Sequence, residues 1–173
     1  MRKLITGIVA LLLLFTISFL VAGIVRKSNE KEITDNRISS LPVFTFVDLT
    51  GEKFSSGCIR EGPVLIVKFH PECEHCQYEI SEILRSKIPG SGIKVLLITN
   101  AGRKNVLDFL SQFDITGYHN IIPLIDTAFI FSDVFGKDLV PSNYIYNKEL
   151  KLVKALYGEY KIEKIQNLLG LGE

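Results

Sequence analysis

Tryptophan is absent from this 173-residue chain, methionine occurs once, and cysteine and histidine occur three times each. These scarcities narrow the chemistry. A zinc knuckle needs a second pair of ligands at suitable spacing, and beside Cys73 and Cys76 the sequence offers none. A c-type haem site needs histidine after the second cysteine, where Gln77 stands. Excess charge is missing too: 20 Lys and Arg against 19 Asp and Glu leave a formal +1, with no basic stripe interleaved with aromatics. Nucleic acid is therefore not an expected partner. No internal repeat or low-complexity tract is visible.

What is present starts with an apolar N-terminus. Met1-Arg2-Lys3 precedes twenty-two uncharged residues, Leu4 to Val25. That length suits a membrane-spanning helix of about 20 residues, whereas a cleavable signal has a shorter apolar region of roughly 7–15. Residues 1–27 are read as an anchor or signal, with the uncleaved anchor preferred, although Val21-Ala22-Gly23 leaves cleavage open. Ile24 stands where a lipid-bearing cysteine would have to be. Arg2 and Lys3 on one side nearly balance Arg26, Lys27 and Lys31 on the other. The N-terminal overhang is too short to carry function, so the C-terminal domain is expected on the extracytoplasmic or periplasmic face. Residues 28–40 read as a polar linker, and 41–173 as one domain with its own core.

Within that domain the pattern alternates. Val43 to Phe54 reads as a β-hairpin turning near Thr50-Gly51. Pro63 to Phe69 is a continuous apolar run, as expected of a strand buried on both faces. Ile80, Ile83, Leu84 and Ile88 then fall at helical spacing, with Pro89-Gly90 as the stop. A second buried strand covers Ile93 to Thr99, and Val106, Leu107, Leu110 and Phe113 mark another helix. Ile121 to Ile125 is a short strand. Asp126 caps a helix through Phe129, Val134 and Phe135 that stops at Gly136, with Phe129, Phe131 and Phe135 expected in the core. Strands at Ser142–Tyr146 and Leu152–Tyr157 and a final helix through Ile162, Ile165 and Leu168 complete the chain. The expected class is α/β: a mixed central sheet with helices on both faces, preceded by a β-hairpin extension.

The chemistry concentrates in one place. Cys73-Glu74-His75-Cys76 lies between a buried strand and a helix, so Cys73 meets a helix N-terminus whose free N–H groups favour a thiolate. Redox motifs of this kind lower a cysteine pKa from about 8.5 to roughly 3.5–7.5. Cys76 lies one turn on, near enough to close a disulfide. His75 would stabilise the Cys73 thiolate and push the couple towards oxidant, while Glu74 would oppose it. Glu79, three residues after Cys76 on the same helical face, could take the proton that Cys76 loses. Cys58 reads as a free, buried or half-buried thiol, with a regulatory disulfide as the alternative. His70 and His119 read as loop residues.

Phe69-His70-Pro71-Glu72-Cys73-Glu74-His75-Cys76 between strand and helix resembles the thioredoxin-like superfamily. Within it the chain looks most like membrane-anchored, extracytoplasmic thiol–disulfide oxidoreductases, the group of cytochrome c maturation proteins and alkyl hydroperoxide reductase relatives. The resemblance covers about Leu41 to Gly170. It implies disulfide exchange with exported proteins through Cys73 and Cys76, reduction being the expected direction, with an unidentified electron donor and no cofactor or resident metal. It implies a cis bond at Val140-Pro141, leaving the Val140 backbone free to pair with an extended substrate. The spacing of 68 from Cys73 to Pro141 implies a strand–helix insertion between Tyr118 and Gly136. Some cytochrome c maturation reductases carry an acid where Glu79 stands. Ordinary thioredoxins instead carry a buried aspartate six residues before the first cysteine, where this chain has Val67. The alternative from another class is a copper-binding assembly factor on the same fold, with Cys73, Cys76 and a histidine as Cu(I) ligands. Such proteins usually space their cysteines by three residues rather than two. A peroxiredoxin would need Thr or Ser where His70 stands.

Overall fold

In a computed structural model the described residues are 2–113, 115 and 117–172, less the side chains of 2–6, 8–11, 13 and 14. The chain divides into two units, Met1–Asn36 and Arg37–Glu173. The first is helical throughout its described residues, within a helix α1 that runs Arg2–Ile38. The expected linker segment thus remains helical up to Ile38, which is itself buried in the second unit. The span expected over Leu4 to Val25 falls in part on side chains outside the described residues. Among the described residues, no helix is long and apolar enough to cross a membrane.

The second unit is built on a seven-stranded mixed sheet. Its strands are β1 (Thr45–Asp48), β2 (Lys53–Ser55), β3 (Val64–Lys68), β4 (Lys94–Thr99), β5 (Ile121–Ile125), β6 (Ser142–Tyr146) and β7 (Leu152–Tyr157). They lie in the order β2-β1-β5-β4-β3-β6-β7. β3, β4 and β5 run parallel, while β1 and β6 pair antiparallel to β5 and β3. Every residue of β3 is buried, because helices cover both faces of a central strand. Its side chains alternate between two cores. Leu65, Val67 and Phe69 join one with Cys76, Ile80 and Ile83; Val64 and Ile66 join the other with Phe131, Phe135 and Tyr144.

The first core is closed by α2 (Glu74–Arg85), α3 (Arg103–Leu110) and α5 (Ile162–Leu168), the second by α4 (Phe131–Phe135) and Ile38. Helix α2 buries Cys76, Ile80 and Ile83, one per turn. It stops at Arg85, earlier than Pro89-Gly90, because the Ser86 hydroxyl donates to the Ile83 carbonyl and accepts from the Ile88 amide, breaking the helical path. A 3-10 turn then occupies Pro89–Ser91. The insertion is β5 with α4, and β5 is built into the sheet between β1 and β4. Asp126 accepts from the amides of Ile130 and Phe131, which starts α4 there and leaves Phe129 outside it. Phe129 is 67% exposed at a φ of 56°, which corrects its expected place in the core, while Phe131 and Phe135 are buried. Gly136 ends the helix with a φ of 79° that a side chain would resist.

Candidate active site

The site follows from how β3 hands the chain to α2. After Lys68 the strand ends, Phe69 still pairs its amide with Ile98, and His70 to Glu72 turn the chain. The His70 carbonyl accepts from the Cys73 amide at 3.1 Å, and His70 Nδ1 accepts from the Glu72 amide at 3.3 Å. Cys73 is then the N-cap of α2, with extended backbone. Its Sγ accepts from the Cys76 amide at 3.3 Å, taking the part an oxygen plays in an ordinary cap.

Both cysteines are free thiols, and Cys76 Sγ donates to Cys73 Sγ at 2.6 Å. A disulfide needs about 2.05 Å, so closure needs only a small movement. Their surroundings differ. Cys73 is half-buried and Cys76 is buried. Burial, reinforced by the hydrogen bond to Cys73, pushes the Cys76 thiol up to about 12. Glu74 is exposed in the first turn of α2. His75 Nδ1 lies 2.6 Å from the Glu159 carboxylate, in a pair with both partners open to solvent.

Glu79 is buried, at 1% exposure. Its Oε1 accepts from Asn143 Nδ2 at 2.7 Å and its Oε2 from the Tyr160 amide at 2.8 Å. Burial raises its pKa above the usual carboxylate value, and those two hydrogen bonds pull the other way. Its charge also acts on Cys76, opposing the second ionisation.

The Val140-Pro141 bond is cis, and Val140 is exposed. Pro141 precedes β6, whose Ser142 stands opposite Lys68 at the end of β3. That register brings the proline step to the same end of the sheet as the cysteine turn. Cys58 is exposed rather than buried or half-buried, because the 3-10 turn at Ser56–Cys58 points Ser56 inward and leaves the cysteine outward. His119 is exposed.

Sequence reasoning missed three residues that hold the site together. Gly158, Glu159 and Tyr160 follow β7. The Gly158 amide donates to the Pro141 carbonyl, Glu159 faces His75, and the Tyr160 amide donates to Glu79. Asn143 was equally silent, since its amide acts only through the β3–β6 register.

No protein-family model matches the chain, and no curated protein matches it in sequence. Solved structures do match. A secreted Mycobacterium tuberculosis disulfide oxidoreductase homologous to E. coli DsbE superposes with a TM-score of 0.65 at 15% identity, over 79% of this chain and 98% of that one. A thiol:disulfide interchange protein of the thioredoxin family from Chlorobium tepidum gives 0.64 at 15%, over 78% and 95%. A peroxiredoxin-like protein from Aquifex aeolicus gives 0.64 at 14%, over 76% and 84%. The fold is thioredoxin-like.

Proposed function

We propose that the chain is a membrane-anchored thiol–disulfide oxidoreductase that reduces disulfides of exported proteins at the extracytoplasmic face. The single observation carrying this is the Cys73–Cys76 pair: two free thiols 2.6 Å apart at a helix N-cap, with the buried Glu79 carboxylate three residues further along the same helix. Cys73, as thiolate, attacks a substrate sulfur; one substrate thiolate leaves and a mixed disulfide forms. Cys76 gives its proton to Glu79 and attacks Cys73 Sγ. The Cys73–substrate bond breaks, the second substrate thiolate leaves, and the protein holds a Cys73–Cys76 disulfide. Two electrons have passed to the substrate, and an electron donor must return them. Glu74 and His75 tune the couple, and the Val140-Pro141 edge receives the substrate backbone. Residues 1–27 supply the anchor, on the strength of the uncharged run from Leu4 to Val25.

Nothing favours the copper-binding alternative: among the described residues, no cluster of three His, Cys, Asp or Glu side chains could hold a metal ion. The test is the reduction potential of the Cys73–Cys76 couple in the full chain, poised against graded thiol buffers. A value near about −270 mV fits a reductase, and one near about −120 mV an oxidase. Failure to form the disulfide at any poise refutes the redox reading.

A further inference from the structure

Among the described residues the buried charged side chains are Lys68, Glu79 and Asp126. Glu79 belongs to the cysteine site and Asp126 caps α4. Lys68 does neither. Val67 and Phe69 on either side of it join the α2 core, so its side chain points to the other face of the sheet. There it is 1% exposed, with Nζ 3.2 Å from Asp138 Oδ1 and 4.8 Å from the centre of the Phe131 ring. A buried ammonium is expensive to desolvate, and removing its partner leaves an uncompensated charge. Asp138 is half-exposed, so the pair runs from a lysine fixed inside the fold to a carboxylate at its edge.

The partner's place in the chain gives this a consequence. Residues 136–140 are exposed and irregular. Lys137 lies over the Tyr157 ring at 3.9 Å, and Asp138 reaches Lys68. Next come Leu139 and Val140, both exposed apolar residues, and then the proline step. β6 begins at Ser142, which is paired in the ladder with Lys68 itself. Lys68 therefore grips the 139–141 segment at both ends, by its side chain through Asp138 and by its strand rung through Ser142. Lys68 is also five residues ahead of Cys73, on the strand that delivers the cysteine turn. One residue thus ties the exposed Leu139-Val140 edge to the strand that carries the nucleophile.

We propose that the Lys68–Asp138 ion pair is a positioning device for polypeptide substrates, holding the Leu139-Val140 edge in register with Cys73 so that an extended segment can pair along it. The proposal rests on the disulfide-exchange reading above. It separates two kinds of substrate: a polypeptide disulfide that must use the edge, and a small disulfide that need not.

The experiment compares the full chain with Asp138→Asn, Asp138→Glu and Lys68→Met, with dithiothreitol as electron source and either insulin or glutathione disulfide as acceptor. Asp138→Asn is expected to lower kcat/KM for insulin by about 10- to 100-fold, chiefly through KM. The glutathione disulfide rate and the reduction potential should stay at wild-type values, and Asp138→Glu should recover most of the loss. A folded Lys68→Met should match Asp138→Asn, and the double variant should be no worse than either single one. An unchanged insulin rate in Asp138→Asn overturns the proposal. So does an equal loss on both substrates, a shifted potential, or no recovery in Asp138→Glu. If Lys68→Met does not fold, the two Asp138 variants decide alone. A wild-type chain that reduces neither substrate marks failure of the exchange reading itself, a different result from any of these.

Discussion

Glu79→Gln separates the two duties of the buried carboxylate. Burial pushes the Cys76 thiol up, so its attack on a mixed disulfide calls for a proton acceptor. The carboxylate that acts electrostatically on it is Glu79. Removing a positioned general base costs about 10²–10⁴ in rate. Glutamine keeps the shape and can keep the hydrogen bonds. Its oxygen accepts from Tyr160, and a flipped Asn143 turns its Oδ1, which has no partner, to accept from the new NH₂. The fold should hold to within about 1 kcal/mol, whereas Glu79→Ala strands two donors at about 1–3 kcal/mol each.

Two readouts follow from Glu79→Gln. With insulin as substrate and rapid acid quenching, the Cys73–substrate mixed disulfide should accumulate in the variant and not in the wild type. The wild-type resolving rate should rise with pH as Glu79 loses its proton, with an inflection above the usual carboxylate range because burial raises that pKa. Glutamine should erase the inflection. The sign for stability is the reverse. A carboxyl whose folded pKa is raised contributes stability that is complete below its unfolded pKa and lost as pH rises through the folded one, at about 1.4 kcal/mol per unit. Urea melts should therefore show Glu79→Gln gaining on the wild type across that window. Wild-type resolution speed with the inflection intact would refute the assignment.

Asn143→Leu removes the donor that pulls the Glu79 pKa down, so the inflection in the resolving rate should move to higher pH. An unmoved profile would show that the amide does not act on the acid. Asp126→Ala leaves the Ile130 and Phe131 amides uncapped and should lower stability by about 1–2 kcal/mol, read as a lower Tm in a thermal melt. His75→Ala and Glu159→Gln should shift the reduction potential by amounts that fail to add, with a coupling of about 0.5–1 kcal/mol, or about 10–20 mV. Strict additivity would mean that the pair does not act on the couple.

Elements with strong local signals were legible in the sequence. Continuous apolar runs marked β3, β4 and β5, the 142–146 and 152–157 strands had clear ends, and Asp126 and Gly136 bracketed α4 because their side chain and φ act within a few residues. Cys73 and Cys76 were legible for the same reason, since one turn of helix fixes their separation. Phe129 was misplaced because helical periodicity was extended past the point where Asp126 starts the helix. Cys58 was misplaced because a 3-10 turn of three residues leaves no periodicity to read. Asn143, Glu159, Tyr160 and the Lys68–Asp138 pair were illegible for another reason. Each acts on a residue 64 to 84 positions away, through sheet register or a loop that register places.

Val67 shows how such a distant contact changes the chemistry. It fills the strand position where thioredoxins carry an aspartate, and it lies in the core with Cys76. Its rung partner on β6 is Asn143, and side chains opposite each other in an antiparallel ladder stand about 5 Å apart on one face. Glu79, rising from α2, meets that same Asn143 at 2.7 Å. The carboxylate thus reaches the neighbourhood of the strand acid from the helix side, where β3 contributes an apolar wall and β6, on the same rung, an amide. An acid on β3 would belong to the sheet, whereas Glu79 belongs to the helix of Cys76 and is tied to β6 by the Asn143 amide and to the segment after β7 by the Tyr160 amide.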